Sequence, residues 1–191
     1  MSQENVEVVR GVRTKLPPLS EASQRRNLDE RLFVRYPALY RRFAKAWMRL
    51  PLRSRLRRLM LARLVSRACA AANRRDFALL VVGVDSAVEH RPAKDLMPLD
   101  WDPVAYGRDG YQQVWRKMLN AFDDFRAEPA EVLDLGDRIL VTAHYKGHGS
   151  ASGVPIDEML FQVSRFQRGL VIWQQDFTDI SKALEAAGLQ E

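Results

Sequence analysis

RILVTAHYKG, residues Arg138–Gly147, alternates Ile139, Val141, Ala143 and Tyr145 against Leu140, Thr142, His144 and Lys146. That period of two predicts a strand with one buried face. PIDEMLFQVSRFQ (Pro155–Gln167) follows, carrying Ile156, Met159, Leu160, Phe161, Val163 and Phe166, and then LVIWQQDFT (Leu170–Thr178), β-branched and aromatic. With breaks at Gly136-Asp137, Gly149–Gly153 and Arg168-Gly169, the stretch Arg126 to Thr178 reads as a four-strand antiparallel meander. A bent sheet of this kind closes its core only under helices, so the predicted class is α+β: a cone-like curved antiparallel sheet covered by helices.

At 191 residues the chain is long enough for one well-buried core with an appendage. Its single cysteine, Cys69, excludes an intrachain disulfide and a cysteine-based metal cage, and its alanine neighbours on a predicted helix favour packing over nucleophilic chemistry. No apolar run reaches the roughly 20 residues of a membrane span, and no basic stretch precedes an apolar core as in a secretion signal. A cytoplasmic location is the expectation. Charge divides the chain: residues 1–75 hold 19 basic and 5 acidic residues, a net of +14, which leaves −8 for the remainder. Such halves could attract one another, or the basic front could meet an anionic partner.

The helical front is read from its caps and periods. Glu4–Arg10 forms a short possible helix, and Asn27 with Glu30 resembles a capping box that opens a helix over Leu28–Arg35. Pro37 opens a second helix, over 37–49, with Tyr40, Phe43, Ala44 and Trp47 on one face. Pro51 opens a third, over Leu52–Asn73, whose expected apolar stripe is Leu52, Leu56, Leu59, Met60, Leu64 and Ala68, with the arginines left for solvent. Asp76 caps a short helix, 87–92 is a strand, and 93–107 is a loop carrying Trp101 and Tyr106. Asp109 is the expected cap of an amphipathic helix over 110–124, and Asp179 that of a terminal helix.

Three stretches, NRRDFALLVVGVDSAVEHRP (73–92), YGRDGYQQVWRKMLNAFDDFRAEPAEVLDLGDRILV (106–141) and GLVIWQQDFTDISKALEAAGL (169–189), resemble the nuclear transport factor 2-like superfamily. Within it they resemble the SnoaL-like group of polyketide cyclases and ketosteroid isomerases. The resemblance implies a cone-shaped barrel with an open-ended pocket and a homodimer packed through its sheets. It divides the chain into an N-terminal helical extension, 1–51, and a SnoaL-like domain, 52–191. The extension departs from the family pattern, and either plugs the cone mouth or packs outside it.

The same resemblance supplies candidate site residues. Where the isomerases place a carboxylate base after a Val-Glu pair, this chain has His90 after Val88-Glu89, a residue able to move protons near neutral pH. Their tyrosine donor falls near Ala68, which cannot donate, and their protonated acid falls near Gln162, a neutral amide that can. The cyclases' acid/base aspartate matches Asp176, ahead of Phe177. His90, Asp176 and Gln162 are therefore the catalytic candidates, for proton transfer beside a carbonyl or addition of water. The rival roles are, for His90, a strand histidine satisfied by a backbone carbonyl and, for Asp176, a solvated or dimer-facing carboxylate. Trp101, Tyr106, Trp115, Tyr145 and Phe161 are the candidate walls of an apolar ligand site, with Trp173 a further aromatic on the last strand. His144 and His148 share a strand face, but Lys146 between them opposes a cation, so no metal and no other cofactor is expected. The expected partner is a small, largely apolar molecule. Nucleic acid lacks a stacking motif, and membrane-surface contact through the basic helices is disfavoured against a solvated face. The alternative function is a non-catalytic dimeric interaction or scaffold module with a self-filled pocket.

Overall fold

The computed structural model describes residues 11–20, 25–96 and 103–189. In chain order these form β1 (Val12–Lys15), α1 (Leu28–Arg35), α2 (Pro37–Trp47), α3 (Arg55–Asn73), α4 (Phe77–Leu80), β2 (Val84–Arg91) and β3 (Ala105–Tyr106). Then come α5 (Gly107–Asn120), β4 (Arg126–Asp134), β5 (Arg138–His148), β6 (Pro155–Gln167), β7 (Leu170–Phe177) and α6 (Ile180–Ala186). The meander is present as read. Its four strands lie within one open seven-stranded sheet ordered β1-β4-β5-β6-β7-β2-β3, all antiparallel except for the β2–β7 pair. The α+β class of the sequence reading is the observed one.

Turn chemistry fixes the register. Arg168 and Gly169 both have positive φ, 53° and 83°, the pattern of a two-residue hairpin turn between β6 and β7. Gly169 has a second role: a Cβ there would lie 2.7 Å from the backbone nitrogen of Lys45, so only glycine lets α2 approach the hairpin. Pro129 sits at a register shift between β4 and β5, where a missing N–H is tolerated.

One face of the sheet holds the main core. Along α5, Tyr111, Trp115 and Leu119 pack with Val88, Ala127, Ala143, Tyr145 and Leu160. A second cluster joins Tyr40, Ala44 and Trp47 of α2 and Leu61 and Val65 of α3 to Val132, Ile139, Val141 and Phe166. On the opposite face α6 covers Leu133, Leu140 and Val163 through Ala183 and Ala187.

Several local expectations need correction. Val12–Lys15 had been given no element, yet it forms the edge strand that pairs with β4. Helix α5 starts at Gly107 with Tyr106 as its cap, so Asp109 lies in the first turn and not at the cap. Asn27, Asp76 and Asp179 do open their helices as read. The stripe of α3 is rotated from the one expected: Leu61, Val65, Cys69 and Ala72 are buried, while Leu56 and Leu59 are exposed. Leucines and alanines surround this helix on every side, so periodicity alone does not choose its inner face. Arg57 does.

Arg57 is buried, and each of its five N–H groups has an acceptor. Nε donates to Asp134 Oδ2 at 2.7 Å and Nη2 to Asp134 Oδ1 at 2.9 Å and Gly136 O at 2.7 Å. Nη1 donates to Met48 O at 2.7 Å and Leu50 O at 3.1 Å, and the guanidinium lies over the Trp47 ring, 5.4 Å from its centre. One side chain thus ties the α2–α3 connection and α3 to the β4–β5 turn. Leaving Asp134 buried without its partner costs about 3–5 kcal/mol. Arg57→Met is therefore expected to lower the thermal unfolding midpoint by roughly 10 °C in a circular-dichroism melt. Adding Asp134→Leu should recover only part of the loss, because the carbonyls of Met48, Leu50 and Gly136 remain unpaired.

Candidate functional site

Three neighbouring strands bring the catalytic candidates together. In the β6–β7 register Gln162 faces Asp176, and in the parallel β2–β7 register His90 faces Gln174. Because β7 alternates, Gln174 and Asp176 point to the same side of the sheet. His90 Nε2 lies 2.9 Å from Asp176 Oδ2, Gln162 Nε2 donates to Asp176 Oδ1 at 2.9 Å, and Gln174 Nε2 reaches the same oxygen at 3.4 Å. Three N–H groups therefore converge on a carboxylate, an acceptor-only group, with His90 Nε2 the donor of its pair. Gln174 Nε2 also approaches His90 Nε2 to 3.2 Å, but that nitrogen, once protonated, has no lone pair to offer it. The lone pair of the imidazole is left on Nδ1, which is buried and has no hydrogen-bond partner among the described residues. A carboxylate that fixes the histidine tautomer and leaves the other nitrogen basic is an arrangement suited to proton transfer.

Beside this dyad is a cavity of about 130 Å³ between the sheet and helices α2, α3 and α5. Gln162, Gln174, Ser164 and Tyr111 form its polar end; Arg67 also lines it, and most of the remaining wall is apolar. Tyr111 Oη donates to Gln174 Oε1 at 3.1 Å, and its ring lies 4.9 Å from that of His90. Burial, reinforced by the charge of Asp176, holds the Tyr111 hydroxyl above the usual phenol range, so it stays protonated and able to donate. His90 and Asp176 are themselves almost wholly buried, and the cavity wall in front of them is Gln162, Gln174 and Tyr111. The dyad is one hydrogen bond behind the wall and does not project freely into the hollow.

The other candidates divide. Trp115 and Tyr145 line the cavity. Phe161 does not: even-numbered Leu160, Gln162 and Ser164 of β6 face inward, whereas Phe161 packs against the α6 cluster on the far side, as Trp173 does. Tyr106 is 68% exposed at the start of α5 and does not wall the cavity. Trp101 and the Glu4–Arg10 helix lie outside the described residues. His144 pairs with Asp157 and His148 Nδ1 with Asp124 Oδ2 at 2.9 Å, each at the surface. Among the described residues no three ligating side chains gather around one point. Gln174 and Tyr111 were missed, although each carries a signal: Gln174 stands two residues before Asp176 on a strand, and Tyr111 four before Trp115 on a helix.

The extension decides access. Tyr40 and Phe33 line the cavity and meet edge to face, ring centres 5.4 Å apart, while Tyr36 and Phe43 remain exposed. The helical pair therefore caps the cavity through two rings, and its remaining aromatics stay outside or, as with Trp47, against Phe166. Cys69 lines the same cavity, and burial pushes its thiol up to about 12.

Residues 65–173 match the family model described as a SnoaL-like domain. No curated protein matches the chain. Among solved structures, an NTF2-like protein of unknown function from Burkholderia pseudomallei is similar with a TM-score of 0.55 and 20% identity, over 64% of this chain and 93% of that one. A hypothetical protein of ketosteroid isomerase-like fold from Catenulispora acidiphila, in complex with trimethylamine, gives 0.53 and 16%, over 66% and 93%. IdmH, a putative polyketide cyclase from Streptomyces antibioticus, gives 0.53 and 18%, over 67% and 98%.

Because Cys69 is the sole cysteine, it reports access to the cavity without engineering. Wild-type protein is expected to react slowly with methyl methanethiosulfonate, followed by intact mass. Tyr40→Ala should raise that rate by roughly tenfold or more, because it opens the path under the cap and admits water to a thiol otherwise held protonated. Leu140→Ala, on the far face of the sheet, should leave the rate near the wild-type value.

Proposed function

The chain belongs to the SnoaL-like domain family, and on that premise we propose that it binds a small, largely apolar carbonyl compound and moves a proton beside the carbonyl. The observation that supports this reading is the His90–Asp176 pair set behind the polar end of a largely apolar cavity. An apolar hollow favours a ring or alkyl body, and its volume of about 130 Å³, below the few hundred Å³ of ordinary ligand pockets, favours a compact one. The second N–H of Gln162, whose first is given to Asp176, is the donor available to a carbonyl oxygen, joined by the Tyr111 hydroxyl once it leaves Gln174. In the proposed step the Tyr111–Gln174 wall opens so that the compound reaches His90, the C–H bond beside the carbonyl breaks, and its proton passes to His90 Nδ1. The electron pair moves into an enolate held by those donors, and the dyad returns the proton to carbon or oxygen. Asp176 holds the imidazole in one tautomer and balances its charge when it is protonated.

A second reading has its own support. Phe33 and Tyr40 close over the cavity and leave it small, as expected of an interaction module whose interior is largely filled by its own side chains. The two separate in one experiment: hydrogen–deuterium exchange of the methyl protons of acetophenone in D2O, followed by NMR. The catalytic reading expects acceleration over buffer, lowered roughly 10²-fold or more by His90→Ala and by Asp176→Asn. Circular dichroism should show both variants folded. Exchange equal to buffer in the wild-type protein and in Tyr40→Ala would leave the module reading standing alone.

A further inference from the structure

The described large apolar side chains that remain exposed are not spread evenly. Most belong to α1, the α1–α2 joint, α2 and α3. On α1, Leu28, Arg31, Leu32 and Arg35 follow the spacing of a single helical face, and all four are exposed. Leu39 and Phe43 form a pair at i, i+4 on the outside of α2, beside exposed Arg41 and Arg42. Leu56, Leu59 and Arg63 follow the same rule on α3. Leucine and arginine thus share the outer faces of all three helices.

The acidic groups there are turned away. Residues 28–63 contain eleven basic side chains and two acidic ones, Asp29 and Glu30. Asp29 pairs with Arg67 and Glu30 with Arg74, both on or beside the inner helix α3, and Glu30 is buried. Arg57, the one inward arginine in the stretch, is neutralised by Asp134. What is left at the surface is cationic, interleaved with leucine.

We propose that this surface docks on an anionic phospholipid bilayer. Guanidinium groups at the phosphate level and leucine tips below it satisfy both parts of the surface at once, and arginine side chains are long enough to reach up from that depth. A nucleic acid would engage the arginines and leave the leucines in water. A second copy's acidic half would do the same. Docking of this kind needs no helix that crosses a bilayer, and among the described residues none is long and apolar enough to do so. It is also independent of what occupies the cavity.

The test is flotation of the whole chain with vesicles of phosphatidylcholine and phosphatidylglycerol in a roughly 7:3 ratio, against vesicles of phosphatidylcholine alone. Binding is expected to the mixed vesicles only, falling as salt is raised. Arg41→Gln with Arg42→Gln should weaken partitioning by roughly tenfold or more. Leu32→Ser with Leu39→Ser and Leu56→Ser, all exposed positions, should also weaken it, with the melting temperature unchanged. No binding to mixed vesicles would overturn the proposal, and so would binding indifferent to the leucine changes. A duplex RNA bound more tightly than the mixed vesicles, or a dimer in sedimentation that the same substitutions dissolve, would assign the surface to those occupants instead.

Discussion

A buried guanidinium is costly to place and highly directional once placed. Arg57 must find acceptors for every N–H it brings inside, and it finds them on three separate pieces of chain: the α2–α3 connection, Asp134 at the end of β4 and Gly136 in the following turn. No hydrophobic contact is so exacting about position, since dispersion tolerates sliding and a fork of hydrogen bonds does not. Asp134 is fixed in turn by the N–H of Gly136. The helical extension therefore acquires a defined seat on the sheet, and Tyr40 and Phe33 a defined place over the cavity.

The second constraint is polar satisfaction at the dyad. Burial takes Asp176 out of bulk solvent, and Gln162, Gln174 and His90 provide its hydrogen bonds, while Tyr111 donates to Gln174 Oε1. Such networks are rigid because each member's geometry depends on the next. The exception is Nδ1 of His90, a buried acceptor with no donor among the described residues. An unmet acceptor at that position is a liability for stability, and it is the group on which the proposed proton transfer would draw.

Much of this was legible in the chain. Strand alternation and glycine-bearing turns fixed the meander, but the turn alone would set Gln162 opposite Gln175, and an irregularity between Arg165 and Phe166 shifts the register by one to bring it to Asp176. His90 was reached by resemblance, and its partner Gln174 would have followed from strand parity alone. Phe161 was misjudged by the same parity: one step along β6 reverses the face. The inner side of α3 was illegible for a different reason. Hydrophobic period treats arginine as a surface residue, and the carboxylate that brings Arg57 inside lies 77 positions away. Val12–Lys15 escaped because four residues without a turn partner carry little pattern, and only the free edge of β4 makes them a strand.

The close approach at Gly169 has a mechanical meaning. The backbone of α2 rests against the hairpin turn with no side chain between them, and the residue after that turn, Leu170, starts the strand that bears Gln174 and Asp176. Lifting the cap to admit a guest would pull first on that turn, and through it on the strand that orients the carboxylate. Admission and alignment then belong to one movement, so a guest small enough to slip in without disturbing α2 would meet an already assembled dyad, whereas a bulky one would loosen the machinery it had come to use.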